Sequence, residues 1–190
     1  MHRFLLACLA TLLALPAVAA KPPAELPRDS LYQLALPLTD QHGAKFDWRT
    51  LRGTPRVVGM FYTSCQYTCP LIVESGKAIQ KQLTPAQRAR LGLVLISMDP
   101  ARDTPQALQR VAAQHRVDAR WTLATPRAAD VRAVAGVLDV RYRQLADGEF
   151  NHTAALVLLD ADGRELARTE NIGTVPDPAF VAAVRKATSG

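Results

Sequence analysis

Arg56-Val57-Val58-Gly59-Met60-Phe61-Tyr62 runs straight into Thr63-Ser64-Cys65-Gln66-Tyr67-Thr68-Cys69-Pro70, and the join between these two stretches decides the fold. Residues 56–62 form a short apolar run of the kind a buried strand presents. Pro70 signals the opening of a helix, because its missing N–H has no partner to lose there. Leu71, Ile72, Ala78, Ile79 and Leu83 then recur at helical spacing. Two cysteines therefore sit where a buried strand hands over to a helix. Pro70 predicts that Cys69 lies at or beside the N-cap, where unpaired amides and the positive end of the helix dipole favour a thiolate. Cys65, on the preceding loop, is within disulfide range of it.

Working outward, Leu91 to Met98 predicts a second buried strand, and Thr104-Pro105 starts a helix to about His115. Tyr32 to Leu38 and Lys45 to Phe46 read as extended pieces around the turn Asp40-Gln41-His42-Gly43. Trp121 to Ala124 reads as a shorter strand and Ala128 to Leu138 as a helix. Ala154 to Leu159 and Glu165 to Thr169 flank the turn Asp160-Ala161-Asp162-Gly163, a hairpin signal, and Asp177 to Ala187 closes the chain as a helix. Strands alternating with helices, then a late hairpin, predict a mixed α/β domain with a central sheet covered by helices.

The first twenty of the 190 residues carry Arg3, an apolar run from Phe4 to about Leu15, Pro16 and small residues before Lys21. This is the pattern of a secretory signal peptide at 1–20. The run is shorter than the ~20 residues a spanning helix needs, which argues against an uncleaved anchor, and too little apolar sequence precedes Cys8 for a lipoprotein box. Lys21 to Arg28 holds three prolines, so 21–29 reads as a flexible lead-in and 30–190 as one exported, periplasmic domain. Cleavage lowers the formal charge from +6 to +5. A balance this mild, with scattered basic residues, excludes nucleic acid as a partner, and a membrane would be met only through a partner or an uncleaved N-terminus.

Of three cysteines, the two that survive cleavage are Cys65 and Cys69. A multiply stapled scaffold is excluded, and in an oxidising compartment a lone close pair points to redox chemistry, soft-metal binding or a single local disulfide. Two thiolates suit Cu(I), and one added imidazole gives a three-coordinate site that also admits Cu(II). Structural zinc would need four protein ligands, and without Cys-x-x-Cys-His there is no covalent haem. His2 leaves with the signal, His42 lies in a turn and His115 near a helix end. The stretch Phe150-Asn151-His152-Thr153 immediately precedes the strand that starts at Ala154, with no proline between Asp147 and Thr153.

Three pieces together closely resemble the Sco/SenC family of copper-binding, thioredoxin-fold proteins: Phe61 to Pro70 (FYTSCQYTCP), Ser97 to Pro105 (SMDPARDTP) and Asn151 to Thr153 (NHT). The resemblance spans nearly the whole mature domain and implies a thioredoxin-like α/β fold, with Cys65, Cys69 and His152 as copper ligands. It implies an acidic residue, Asp99, close to the copper loop, while the local reading has Asp99 and Asp103 satisfying backbone amides and Thr104 capping the next helix. It further implies a copper metallochaperone delivering to a respiratory cytochrome oxidase, whose partners are the copper-receiving subunit or another copper chaperone, and a thiol–disulfide reductant. The alternative is a thiol–disulfide oxidoreductase in which Cys65 and Cys69 form the redox pair. Many relatives carry a longer loop where Arg141 to Phe150 is compact.

Overall fold

The computed structural model describes residues 25–65 and 67–189, so the expected signal peptide lies outside the described residues, as do 21–24 of the lead-in. A 3-10 turn at Leu31–Gln33 leads into β1 (Pro37–Asp40) and β2 (Lys45–Asp47), and a second at Trp48–Leu51 precedes β3 (Arg56–Phe61). Then come α1 (Thr68–Lys81), α2 (Pro85–Ala89), β4 (Gly92–Ser97), α3 (Pro105–Gln114) and β5 (Trp121–Pro126). A 3-10 turn at Ala128–Asp130 runs into α4 (Val131–Val137), followed by β6 (Tyr142–Gln144), β7 (Phe150–His152), β8 (Leu156–Leu159), β9 (Glu165–Thr169) and α5 (Pro178–Ala187).

Seven strands form one sheet in the order β2-β1-β5-β4-β3-β8-β9. β3, β4 and β5 run parallel, which requires the crossovers that α1 and α3 supply, and the flanking pairs are antiparallel. This is the predicted mixed sheet flanked by helices. Every residue of β4 is buried, because both faces of the central strands are covered, so the strand reads as an unbroken apolar run rather than an alternating one. The cysteine loop leaves the C-terminal end of β3 beside the turn that leaves β4, where the Met98 N–H donates to the Phe61 carbonyl at 2.9 Å. β6 and β7 stand apart as a two-stranded hairpin.

Several boundaries differ from expectation. Helix α1 starts at Thr68, two residues before Pro70. The first helical N–H groups have no partner inside the helix, so proline is tolerated throughout that turn and does not mark its first residue. Tyr32 is in a 3-10 turn rather than a strand, because the Ser30 hydroxyl accepts from the Tyr32 N–H at 3.1 Å. The turn buries the Tyr32 ring edge-on against Trp48. Helix α2 was not anticipated, although Thr84 and Gln87 form a reciprocal capping box around Pro85. The β6–β7 hairpin was also missed.

Close approach of α1 to the sheet depends on Gly76. A Cβ there would fall 2.4 Å from Cη2 of Trp121, and that ring is pinned by its Nε1–H donating to Gln80 Oε1 at 2.9 Å. Alanine ordinarily stabilises a helix relative to glycine by about 1 kcal/mol. Here overpacking wins, and Gly76→Ala is expected to lose about 1–3 kcal/mol. A urea midpoint below that of the parent protein would show it; an unchanged or higher midpoint would refute it.

Candidate metal centre

The junction of β3 and α1 links the two sulfurs through backbone amides. As the chain leaves β3, the Tyr62 N–H donates to Cys69 Sγ at 3.4 Å. The Cys69 N–H in turn donates to Cys65 Sγ at 3.3 Å. Both cysteines are free thiols, Cys69 buried and Cys65 partly exposed.

The expectation that Cys69 favours a thiolate is not met. Burial pushes the Cys69 thiol far up from its ordinary 9.0, and the Tyr62 amide only partly opposes it. Burial also works against the Cys65 thiolate, but the Cys69 and Tyr67 amides, with the Cys69 and Tyr62 side chains, outweigh it and bring Cys65 below 9.0. Burial is the larger cause, and the helix start adds to it: with Cys69 already inside the first turn, its N–H has no partner within the helix and donates to the other sulfur. Limited iodoacetamide is therefore expected to label Cys65 well before Cys69, at a pH below that of an ordinary thiol. Peptide mass mapping reads this directly, and equal labelling would contradict it.

His152 is the last residue of β7, so the hairpin, and not a plain loop, delivers it. Its Nδ1 lies 3.1 Å from the Thr153 carbonyl. A carbonyl can only accept, so Nδ1 carries the proton and Nε2 holds a free lone pair. That Nε2 faces Cys69 Sγ at 3.9 Å. Burial lowers the pKa of His152 from 6.5, and the Thr153 carbonyl partly opposes the shift, so the imidazole is neutral at neutral pH, as a metal ligand must be.

Two donors sharing one first-row ion at about 2.0–2.3 Å each stand roughly 4 Å apart, close to the Cys69–His152 separation. Among the described residues no three His, Cys, Asp or Glu side chains close around one point. Cys69 instead meets Cys65 through its own N–H and His152 through its sulfur. Two thiols and an unprotonated imidazole nitrogen are a soft-metal donor set.

Asp99 is 4 % exposed and belongs to a different bond set: its carboxylate is taken by Arg102 Nε, and its N–H donates to Ser97 Oγ at 2.9 Å. The acid that holds the cysteine loop is Asp103. Its Oδ1 accepts from the Thr63 N–H at 3.1 Å and the Thr63 hydroxyl at 2.6 Å, while Oδ2 accepts from the Ser97 hydroxyl at 2.5 Å. Burial raises the Asp103 pKa from 3.8, against the opposing hydrogen bonds. A sequence signal for this role existed: Thr104 caps α3, with its hydroxyl accepting from the Ala107 N–H at 3.3 Å, which leaves the neighbouring Asp103 free to face elsewhere.

Tyr62 was also missed. Its ring stands edge-on to His152 at 5.8 Å and to Phe150 at 5.2 Å. Of the remaining histidines, His42 stays in its turn and His115 pairs through Nδ1 with Glu74 at 3.0 Å. Two clefts flank Cys65. One of about 460 Å³ is walled by Thr63, Cys69, Val73, Val111 and His115, and one of about 430 Å³ by Tyr62, Tyr67, Glu149, Phe150 and His152.

Fold and site together define a thioredoxin-like domain with a reduced dithiol at the strand–helix junction and a histidine brought up from a separate hairpin. The SCO1/SenC family model matches residues 27–188, and the chain belongs to that family. A Stutzerimonas stutzeri protein that bears the name of a copper-binding protein is 37% identical over 81 residues, covering 43% of this chain and 40% of the relative. The match thus spans about two fifths of that relative's length. Bradyrhizobium japonicum ScoI, solved with copper bound, superposes with a TM-score of 0.67 at 23% identity over 80% of this chain and 96% of its own. BsSco, described as a member of the Sco family of cytochrome c oxidase assembly proteins with a disulfide switch, superposes at 0.68 with 20% identity over 82% and 92%. Both likenesses establish the shared fold.

Proposed function

We propose that this chain is an exported copper carrier. Cys65 and Cys69 hold Cu(I) as thiolates, His152 completes the site through Nε2 and extends it to Cu(II), and the copper passes to the copper centre of a respiratory cytochrome oxidase during assembly. The observation that carries this reading is the unprotonated His152 Nε2 facing Cys69 Sγ at 3.9 Å beside a second free thiol. Three donors beside open clefts leave a coordination position for an incoming ligand, as transfer by ligand exchange requires. Family membership, the copper in ScoI and the oxidase-assembly description of BsSco support the same assignment.

The partners on this reading are the copper-receiving oxidase subunit or another copper chaperone, and a thiol–disulfide reductant that keeps the pair open. Residues 1–20 direct export to the periplasm and are removed, 21–29 form the lead-in, and 30–190 the working domain. Among the described residues no helix is long and apolar enough to cross a membrane.

Anaerobic titration of the reduced protein with Cu(I) and Cu(II) tests the proposal. One ion of each is expected to bind, and His152→Ala is expected to weaken Cu(II) most, because Cu(II) gains more from imidazole than Cu(I) does. Stoichiometric binding of neither ion would refute copper carriage. The asymmetry of the thiols favours one other reading, a thiol–disulfide oxidoreductase in which Cys65 attacks and Cys69 resolves. Copper-independent disulfide turnover unaffected by His152→Ala would establish it instead.

A further inference from the structure

We propose that Tyr62 and the Asp99–Arg102 pair are positioning residues that clamp the β6–β7 hairpin and thereby hold His152 at the cysteine loop. The inference rests on the copper-site reading above and deepens it. Among the described residues the hairpin that delivers His152 pairs only with itself: Tyr142 with His152, Arg143 with Asn151 and Gln144 with Phe150. It shares no ladder with the seven-stranded sheet, and two isolated strands are marginal on their own in water. Beyond that ladder, its own Tyr142 and Phe150 pack against the core, and side chains reach it from elsewhere.

Among the described residues two such grips are present, and both close on residues 148–150, just ahead of His152. In the first, the Tyr62 hydroxyl donates to Glu149 Oε2 at 2.9 Å and accepts from the Phe150 N–H at 3.3 Å. In the second, Arg102 Nη2 donates to the Gly148 carbonyl at the hairpin turn while Nε donates to the Asp99 carboxylate. A planar guanidinium can bind two acceptors in fixed directions, which a lysine cannot. Asp99 is itself anchored by Ser97 at the end of β4, so the strut runs from the central sheet to the hairpin. The two grips come from different strand ends, Tyr62 after β3 and Arg102 after β4.

Tyr62 joins the two halves of the site. Its N–H holds Cys69 Sγ, its ring stands against the imidazole, and its hydroxyl holds the strand that carries that imidazole. Asp99 gains a defined task on this view, acting on His152 through Arg102 and Gly148. A ligand held in place before the ion arrives loses less freedom on binding, and removing such support typically costs about 10–100-fold in metal affinity.

The test uses the purified reduced protein with Tyr62→Phe, which keeps the ring and removes only the hydroxyl, and Arg102→Lys. Without metal, hydrogen exchange of hairpin amides, such as the Thr153 N–H that bonds to the Arg141 carbonyl, is expected to quicken in both variants, with β3 to β5 unchanged. With Cu(II), each variant is expected to lose about 10–100-fold in affinity and part of the imidazole nitrogen hyperfine coupling. On a His152→Ala background Arg102→Lys, which bonds to Asp99 and Gly148 and to neither cysteine, should cost nothing further. Parental hairpin exchange in both variants, or an equal affinity loss from Arg102→Lys with and without His152, would overturn the clamp. If the parent binds no copper, the copper reading fails, while the exchange comparison still decides whether the hairpin is clamped.

Discussion

Cys69→Ser is expected to reduce Cu(I) affinity by more than the ~100-fold that disturbing a ligand's supporting contacts costs, and by more than His152→Ala does. Cys69 is the donor shared by both close approaches, to Cys65 through its own amide and to His152 across 3.9 Å. Serine replaces a soft thiolate with a hard hydroxyl that stays protonated at neutral pH, so the ion loses the donor type it prefers. Cys65→Ser removes one thiolate at the rim and leaves the Cys69–His152 pair intact, so its Cu(II) site should persist more fully than that of Cys69→Ser. Competition titrations against a chromophoric Cu(I) chelator give the order directly. Equal losses for both serine variants would mean that the cysteines act without the asymmetry their burial imposes.

The second large effect is on stability. Asp103→Ala is expected to cost about 3–5 kcal/mol, since it strips acceptors from the Thr63 N–H, the Thr63 hydroxyl and the Ser97 hydroxyl, and each buried orphan costs about 1–3 kcal/mol. Asp103 is fully buried, so water cannot readily replace the lost bonds. For a domain of this size the melting temperature should drop by about 10 °C. Asp103→Asn, which keeps one acceptor oxygen, should lose less. The pH dependence has a definite sign. Because the folded pKa is raised above 3.8, the native state binds this proton more tightly than the unfolded chain, and the associated stability is lost as pH rises through the raised value. That slope should vanish in Asp103→Asn; its survival would assign it to another group.

Asp103 also shows why part of the site escaped the sequence. The motif Ser97 to Pro105 was visible, but its acids bond in different directions: Asp103 reaches back 40 residues to Thr63, whereas Asp99 turns to Arg102. Sequence distance carries no information about such contacts. The same holds for Tyr62 and Glu149, 87 positions apart and joined at 2.9 Å. Local signals served better. Thr104 capping α3 and Gly163 in the β8–β9 turn were legible because each depends on neighbours within four residues. The β6–β7 hairpin was not, because two three-residue strands hold too few residues to show a period.

What began as an apolar run meeting Cys65, Cys69 and Pro70 is, in the folded protein, the end of β3 and the first turn of α1. Apolar period, proline and turn chemistry were enough to place the dithiol at that junction and the central sheet around it, because those effects act between near neighbours. Which sulfur is acidic, which acid braces the loop and how His152 reaches Cys69 depended on burial and on contacts between distant segments. Desolvation depends on everything that surrounds a group, and only the assembled chain specifies those surroundings.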